Sequence, residues 1–449
     1  MRRVLFKQFL DDDLGCASYL VGDEETGEAI VVDPAYAIEQ YVAEAERRGV
    51  RICCVLETHT HADHVSGHGR LALEHETPVC VHAHAQPSFE ADLLEDGREI
   101  EAGEIALRTI HTPGHRPEHC CFAVVDRTRA PEPWLVLTGD SLLVGDAARP
   151  DLAVEARDGA EGMFHSLRRL LELADGVEVY PGHVAGSLCG AAMSSKSSST
   201  VGFERRFNHA LAIDDLSNFV AETASADAPR PPNMERIVEL NRGAFLGAPE
   251  PLRRLDGPTD STMVDIRRPQ DFASGHRPGA INVPLGRSGF ATRAGFVFEP
   301  DERLVIYAGS DDDAGRAVKA LQAVALFGID GYALADGASE RIEPVTIDEL
   351  ERLLESGSIE LVDVREKNER DQGYIPESLH IPYRRMRACA EELRGNSTVV
   401  TICEGGPRAS IAASILARAG VDARPVLGAG VSEWQARGNQ CVQFRRCGS

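Results

Sequence analysis

The sequence predicts a multidomain α/β protein, two layers of sheet covered by helices and then two small α/β domains with parallel sheets. Three observations predict it. The N-terminal part is strand-rich with interspersed helices, the order expected of stacked sheets with outer helices. The C-terminal part repeats itself: Val264–Pro284 and Val362–Pro382 each read as an apolar strand ending in Asp-x-Arg, a helical stretch, a Gly and a second short strand. Finally, 449 residues is the length of about three domains. The boundaries are placed at 1–250, 255–342 and 343–445, the first of them at the Pro-punctuated stretch Gly247–Leu255.

Composition narrows the function. A charged fraction of 26% and a hydrophobic fraction of 43% are ordinary for a soluble globular chain. A net charge of −24 argues against nucleic acid or an anionic membrane as partner. The N-terminal apolar run turns acidic at Asp11–Asp13, too soon for a signal peptide, and no run approaches the length of a membrane span. The eleven cysteines have no even spacing. They read as reduced thiols of a cytoplasmic protein, some of them catalytic.

In chain order, Val4–Gln8, Cys16–Val21 and Ala29–Val32 read as strands, the third stopped by Asp33-Pro34. Ala37–Arg48 has helical apolar spacing and ends at Gly49. The strand Ile52–Leu56 then leads into E-T-H-T-H-A-D-H, which carries His59, His61, Asp63 and His64 within six positions. Imidazoles and a carboxylate this dense are costly to bury unless a cation satisfies them, so the stretch reads as the first half of a metal site. His115 lies in H-T-P-G-H-R-P-E-H, Asp140 in V-L-T-G-D-S and His183 in V-Y-P-G-H. Each falls at a strand-to-loop edge, where a rigid scaffold presents ligands.

H-x-H-x-D-H followed by His115, Asp140 and His183 resembles the ligand order of the metallo-β-lactamase fold, an αββα sandwich. Within that fold, T-P-G-H-R-P-E-H, Thr138–Leu152, Pro181–Gly190 and Ser198–Asn208 are similar to the persulfide dioxygenase branch. Ala148 departs from the Gly that the branch usually has before the Arg. The resemblance covers about the first 245 residues. It implies one Fe(II) per chain, held by His59, His115 and Asp140, with sites left open for water, O2 and a thiolate. His61, Asp63, His64 and His183 would then orient ligands and water, or hold a second metal. All seven ligands of a binuclear hydrolase are present, so the ligand count leaves a zinc thioester hydrolase of glyoxalase-II type open. Arg149 is expected to hold a carboxylate of a small thiol such as glutathione, and Cys189 to line the pocket or serve as a small buried hydrophobe.

The repeated units resemble rhodanese domains. In the second, T-I-C-E-G-G-P-R places Cys403 directly after a strand, with Arg408 opening a helix. Backbone N–H groups at such a helix start favour an anionic sulfur. Cys403 is the expected nucleophile, with Arg408 stabilising the anion. Tyr374 departs from the family's usual His, and Glu404 adds negative charge beside the loop, which disfavours free thiosulfate as donor. The first unit has Ala308 where the Cys should stand, with Asp311–Asp313 beyond it, and is expected to be a structural spacer or a docking surface between the two catalytic units. The whole then reads as a bifunctional enzyme of hydrogen sulfide oxidation, a persulfide dioxygenase joined to a thiosulfate sulfurtransferase. Its partners would be a low-molecular-weight thiol persulfide, O2 and sulfite. The branch often pairs, which leaves a homo-oligomer open.

Overall fold

The computed structural model describes residues 4–151, 153–184, 194–224, 230–257, 259–286, 288–335, 339–395 and 397–443. It divides into two compact units, Met1–Pro249 with Gln322–Ala325, and Glu250–Leu321 with Leu326–Ser449.

The first unit holds two six-stranded sheets. Val4–Asp11 (β1), Cys16–Asp23 (β2), Glu28–Val32 (β3), Arg51–Leu56 (β4), Val79–His82 (β5) and Asp92–Leu94 (β6) lie side by side in chain order. The second sheet is built from Glu99–Ala102 (β7), Ile105–His111 (β8), Cys120–Asp126 (β9), Leu135–Gly139 (β10), Glu178–Pro181 (β11) and Ser199–Thr200 (β12), in spatial order β12-β11-β10-β9-β8-β7. Strand alternation sends every second residue inward. Tyr19, Val21, Ile30, Val32 and Leu56 therefore meet Leu107, Phe122, Val124, Leu135 and Leu137 in one buried cluster between the sheets.

The outer faces are covered by helices, as the αββα expectation requires. Glu39–Arg48 (α1) and His68–His75 (α2) place Tyr41, Ala45 and Leu71 against Leu20, Val31 and Val55. Ala156–Leu170 (α3) and Leu216–Thr223 (α4) place Met163, Phe164, Leu167 and Phe219 against Cys121, Val136 and Val179. Gly49 ends α1 with a left-handed φ of 69°, the C-terminal role read from the sequence. Among the described residues no helix is long and apolar enough to cross a membrane.

The second unit contains two four-stranded sheets with matching topology, both wholly parallel. Thr262–Asp265 (β13), Ile281–Asn282 (β14), Leu304–Ala308 (β15) and Ile329–Leu334 (β16) take the order β14-β13-β15-β16. Ile359–Asp363 (β17), Leu379–His380 (β18), Thr398–Ile402 (β19) and Ala423–Pro425 (β20) take the order β18-β17-β19-β20. The Asp-x-Arg of each repeat proves to be a structural lock. Arg267 forks onto Asp265 and reaches Gly275 O, and Arg365 forks onto Asp363 and reaches Gly373 O.

The helix Asp311–Ala323 (α5) follows β15, and Pro407–Arg418 (α6) follows β19. The two repeats meet along α6. Ser414 Oγ accepts from Asn282 N–H at 3.0 Å, and Ser410 Oγ donates to Asn282 Oδ1 at 2.6 Å, all three residues being buried.

Candidate metal centre and sulfur loop

Every ligand-type residue singled out in the first unit lies on a strand end or the loop after it, at one edge of the sandwich. His59, His115 and Asp140 converge there, fully buried. His115 Nε2 lies 3.5 Å, and His59 Nε2 4.0 Å, from Asp140 Oδ2.

Tautomers follow from the outer ring nitrogens. Thr58 Oγ1 donates to Asp33 Oδ2 at 2.9 Å and so accepts from His59 Nδ1–H at 2.9 Å. His115 Nδ1–H donates to Arg149 O at 2.9 Å. Both Nε2 lone pairs are thereby turned toward Asp140. Burial, and then the neighbouring imidazoles, hold His59 well below its ordinary pKa, and burial lowers His115 too, so both are neutral. His59 Nε2 and Asp140 Oδ2 are buried without a hydrogen-bond partner. Orphaned acceptors facing one another are costly, and a cation between them removes the cost. These residues fit a metal with two His and one carboxylate.

The other four take different places. His61 turns its Nε2 to Glu57 Oε2 at 3.1 Å and Asp33 Oδ1 at 3.3 Å. Burial raises the Glu57 carboxyl, but hydrogen bonds from His61 and His68 outweigh it and bring it down to about 2. His183 donates from Nδ1 to Asp140 Oδ1 at 2.6 Å and from Nε2 to Asp63 Oδ2 at 2.8 Å. His64 Nδ1 lies 3.3 Å from Asp63 Oδ1. Between them stands Cys16, its sulfur 3.2 Å from Asp63 Oδ2 and 3.3 Å from His183 Nε2. Burial first, and then Asp63, push the Cys16 thiol well up, so it is protonated and donates.

Sequence reasoning missed several of these partners. Asp33, a strand stop by its place before Pro34, also accepts Thr58 N–H through its carboxylate at 2.7 Å. His119 accepts Asp140 N–H at 2.9 Å and so fixes the ligand's backbone. Its place in the H-T-P-G-H-R-P-E-H segment was the available signal. Cys16 had none, because the backbone bridge between Cys16 and His183 joins residues far apart in the chain. Arg149 forks onto Asp151 at 2.6 Å through both Nε and Nη2. Cys189 lies outside the described residues. A solvent-open cleft of about 350 Å³ reaches the site, its walls including His59, His61, His82, Phe89, Glu118 and Arg242.

In the second unit Cys403 follows β19 and is buried, its sulfur accepting Gly406 N–H at 3.1 Å. Gly406 has φ 104°, a conformation open to glycine. Gly430 packs so closely that a Cβ there would come within 2.2 Å of Cys403 O and 2.4 Å of Glu404 Cα. Arg408 forks onto Glu369 at 2.5 and 2.7 Å. Glu404, counted in the sequence as a free negative charge, is paired with Arg365 at 2.6 Å and accepts Ser432 N–H at 3.1 Å. At the corresponding place in the first repeat, Ala308 ends β15 and Asp311–Asp313 open α5.

Comparison with known proteins agrees with this arrangement. Residues 11–183 match the metallo-beta-lactamase superfamily, and residues 248–341 and 346–437 each match the rhodanese-like domain. The chain is 30% identical over 250 residues to the mitochondrial persulfide dioxygenase ETHE1 of Bos taurus, covering 55% of this chain and 91% of that one. It is 28% identical over 197 residues to BaeB of Bacillus velezensis, a probable polyketide biosynthesis zinc-dependent hydrolase, covering 41% and 80%. A metallo-beta-lactamase structure from Staphylococcus aureus subsp. aureus COL superposes with a TM-score of 0.69 at 29% identity, covering 74% of this chain and 99% of that one. The chain belongs to the metallo-beta-lactamase superfamily, within the family of the persulfide dioxygenase ETHE1, and carries two rhodanese-like domains after it.

Proposed function

We propose that this protein is a bifunctional persulfide dioxygenase and sulfurtransferase of sulfide oxidation, acting in the cytoplasm, with functional parts at 1–250, 255–342 and 343–445. The observation that carries the reading is the convergence of two neutral imidazole lone pairs and an orphaned carboxylate oxygen, at His59, His115 and Asp140, beside a thiol, Cys16, that engages the second half of the ligand set. Cys16, Asp63 and His64 also lie close enough together to hold a metal, so metal analysis decides the count; the triad itself suits one. Iron(II), when bound there, supplies the O2 chemistry that redox-silent zinc does not.

The chain's own residues do the rest. Thr58, Asp33 and Arg149 O hold the two imidazoles in the ligating tautomer. His183 holds Asp140 by its other oxygen. The cleft beside His59 and His61 would admit the sulfur end of a small thiol persulfide, and a substrate carboxylate would reach Arg149 only by taking over its fork from Asp151. The overall reaction is RSSH + O2 + H2O giving RSH and sulfurous acid, which ionises to sulfite.

In the second unit, the Cys403 thiolate attacks the outer sulfur of a further persulfide and RS⁻ leaves, generating a cysteine persulfide. Sulfite then attacks that outer sulfur, and thiosulfate departs with Cys403 restored as thiolate. The Gly406 amide stabilises the anion, and Arg408 would add positive charge to the extent that it leaves its fork on Glu369. Arg365 is shared between Asp363 and Glu404, so the Glu404 charge is drawn aside from the loop and only partly offset. Joining both activities in one chain keeps sulfite local to its acceptor.

Metal analysis after anaerobic purification, with O2 uptake on glutathione persulfide, tests the reading. One iron per chain and O2 consumption support it. Two zincs, thioester cleavage and no O2 uptake overturn it in favour of a zinc hydrolase, the reading that likeness to BaeB supports.

A further inference from the structure

A second group of imidazoles lies apart from the triad. His82 ends β5 in one sheet, His111 ends β8 in the other, and His84 stands in the single helical turn Ala83–Ala85 that follows β5. One ring nitrogen from each of the three falls within 4.8 Å of the others. The His82 and His111 rings stack at 4.1 Å and 11°, and His84 meets both edge-on, at 5.0 and 5.5 Å.

The protonation pattern suits ligation. His111 Nε2–H donates to Pro117 O at 2.8 Å, which fixes the tautomer and leaves the Nδ1 lone pair available. A ligand ring anchored through its other nitrogen by a backbone carbonyl is the usual support for a bound metal. His82 is buried. Burial first, and then His111 and His84, lower its pKa to about 4. His82 Nδ1 accepts His84 N–H at 3.3 Å. Ligation through Nδ1 would displace that bond, and ligation through Nε2 would move the proton onto Nδ1 and lose it equally. At 3.3 Å it is long and cheap to lose.

The acidic groups nearby are already engaged. Asp96 accepts His111 N–H and pairs with Arg169, while Glu118 pairs with Arg116. The donors on offer are therefore imidazoles, which suit zinc, nickel and copper rather than calcium or magnesium. The stacked His82 and His111 rings run their in-plane lone pairs parallel, so ligation requires the half-buried His111 and the exposed His84 to turn toward buried His82.

We infer that His82, His84 and His111 form a second metal site, for a divalent late transition ion of the copper or zinc kind, separate from the His59, His115 and Asp140 centre. The site borders the substrate cleft, since His82 lines it.

The test uses full-length protein with its first centre already loaded. Copper(II) is titrated into wild type and into the double variant His84→Ala/His111→Gln, neither of which touches the first centre. Bound copper is counted after gel filtration, and its paramagnetic resonance spectrum is recorded. Wild type should retain one further copper per chain, with nitrogen hyperfine structure from bound imidazole, and the double variant should lose that equivalent. Equal copper retention in both proteins, or a spectrum without nitrogen coupling, overturns the assignment. A single His84→Ala variant, altering only an exposed side chain, should weaken retention at least about tenfold, and unchanged retention counts equally against the site. Because the readout is stoichiometry and spectrum, its failure is distinct from failure of the dioxygenase reading.

Discussion

The Cys16 thiol donates to Asp63 Oδ2 at 3.2 Å, so a sulfur stands among the donors that a second metal at the catalytic centre would need. Asp63 is thereby satisfied from two sides, by Cys16 and by His183. Replacing Cys16 by Ala should raise zinc occupancy toward two metals per chain when zinc is supplied in excess, while wild type stays near one. Elemental analysis of both proteins decides it. Lower zinc content in the variant would make the thiol a ligand instead of an occupant.

Cys403→Ala should abolish thiosulfate formation while O2 uptake and sulfite production persist, since no other group in that loop can carry a sulfane sulfur. Parallel assays of oxygen, sulfite and thiosulfate separate the two activities. Loss of O2 uptake in this variant would mean that the two activities are not divided between the units.

Gly430→Ala pushes a methyl against the backbone of Cys403 and Glu404. A shift of about 1 Å at a reacting centre costs on the order of 100-fold, so sulfurtransferase turnover should fall by about that much. O2 uptake should not change, and thermal unfolding of the variant distinguishes a displaced loop from a lost domain.

The Arg408–Glu369 pair fixes the acid limb. Burial raises Glu369, but the Arg408 hydrogen bonds outweigh it and leave the group below its ordinary 4.5. A depressed carboxylate contributes fully above its unfolded pKa and is lost only as pH falls through the lower folded value. Thiosulfate formation should therefore show no limb from this group above about pH 5. A limb at higher pH that Glu369→Gln removes would contradict the pairing.

The gathering of His59, His115 and Asp140 was legible because side chains at successive strand ends must meet wherever those ends meet. The Cys403 loop was legible for the same local reason, a thiol between a strand and a helix start. What stayed hidden depends on pairings across the fold. Asp33 supports His59 through Thr58, and the Cys16–His183 bridge spans residues from separate sheets. Glu404 stands as an isolated charge in the sequence, yet in the fold it shares Arg365, 39 positions earlier in the chain and 2.6 Å away in space.

Asn282 gives the thiol-free repeat a different standing. Here its edge strand grips Ser410 and Ser414 on the helix that springs from its twin's sulfur loop. The two halves of the silent copy are thus under unequal obligation. The turn around Ala308 offers no thiol, whereas the strand at Asn282 is hydrogen-bonded to the helix that carries the twin's sulfur loop.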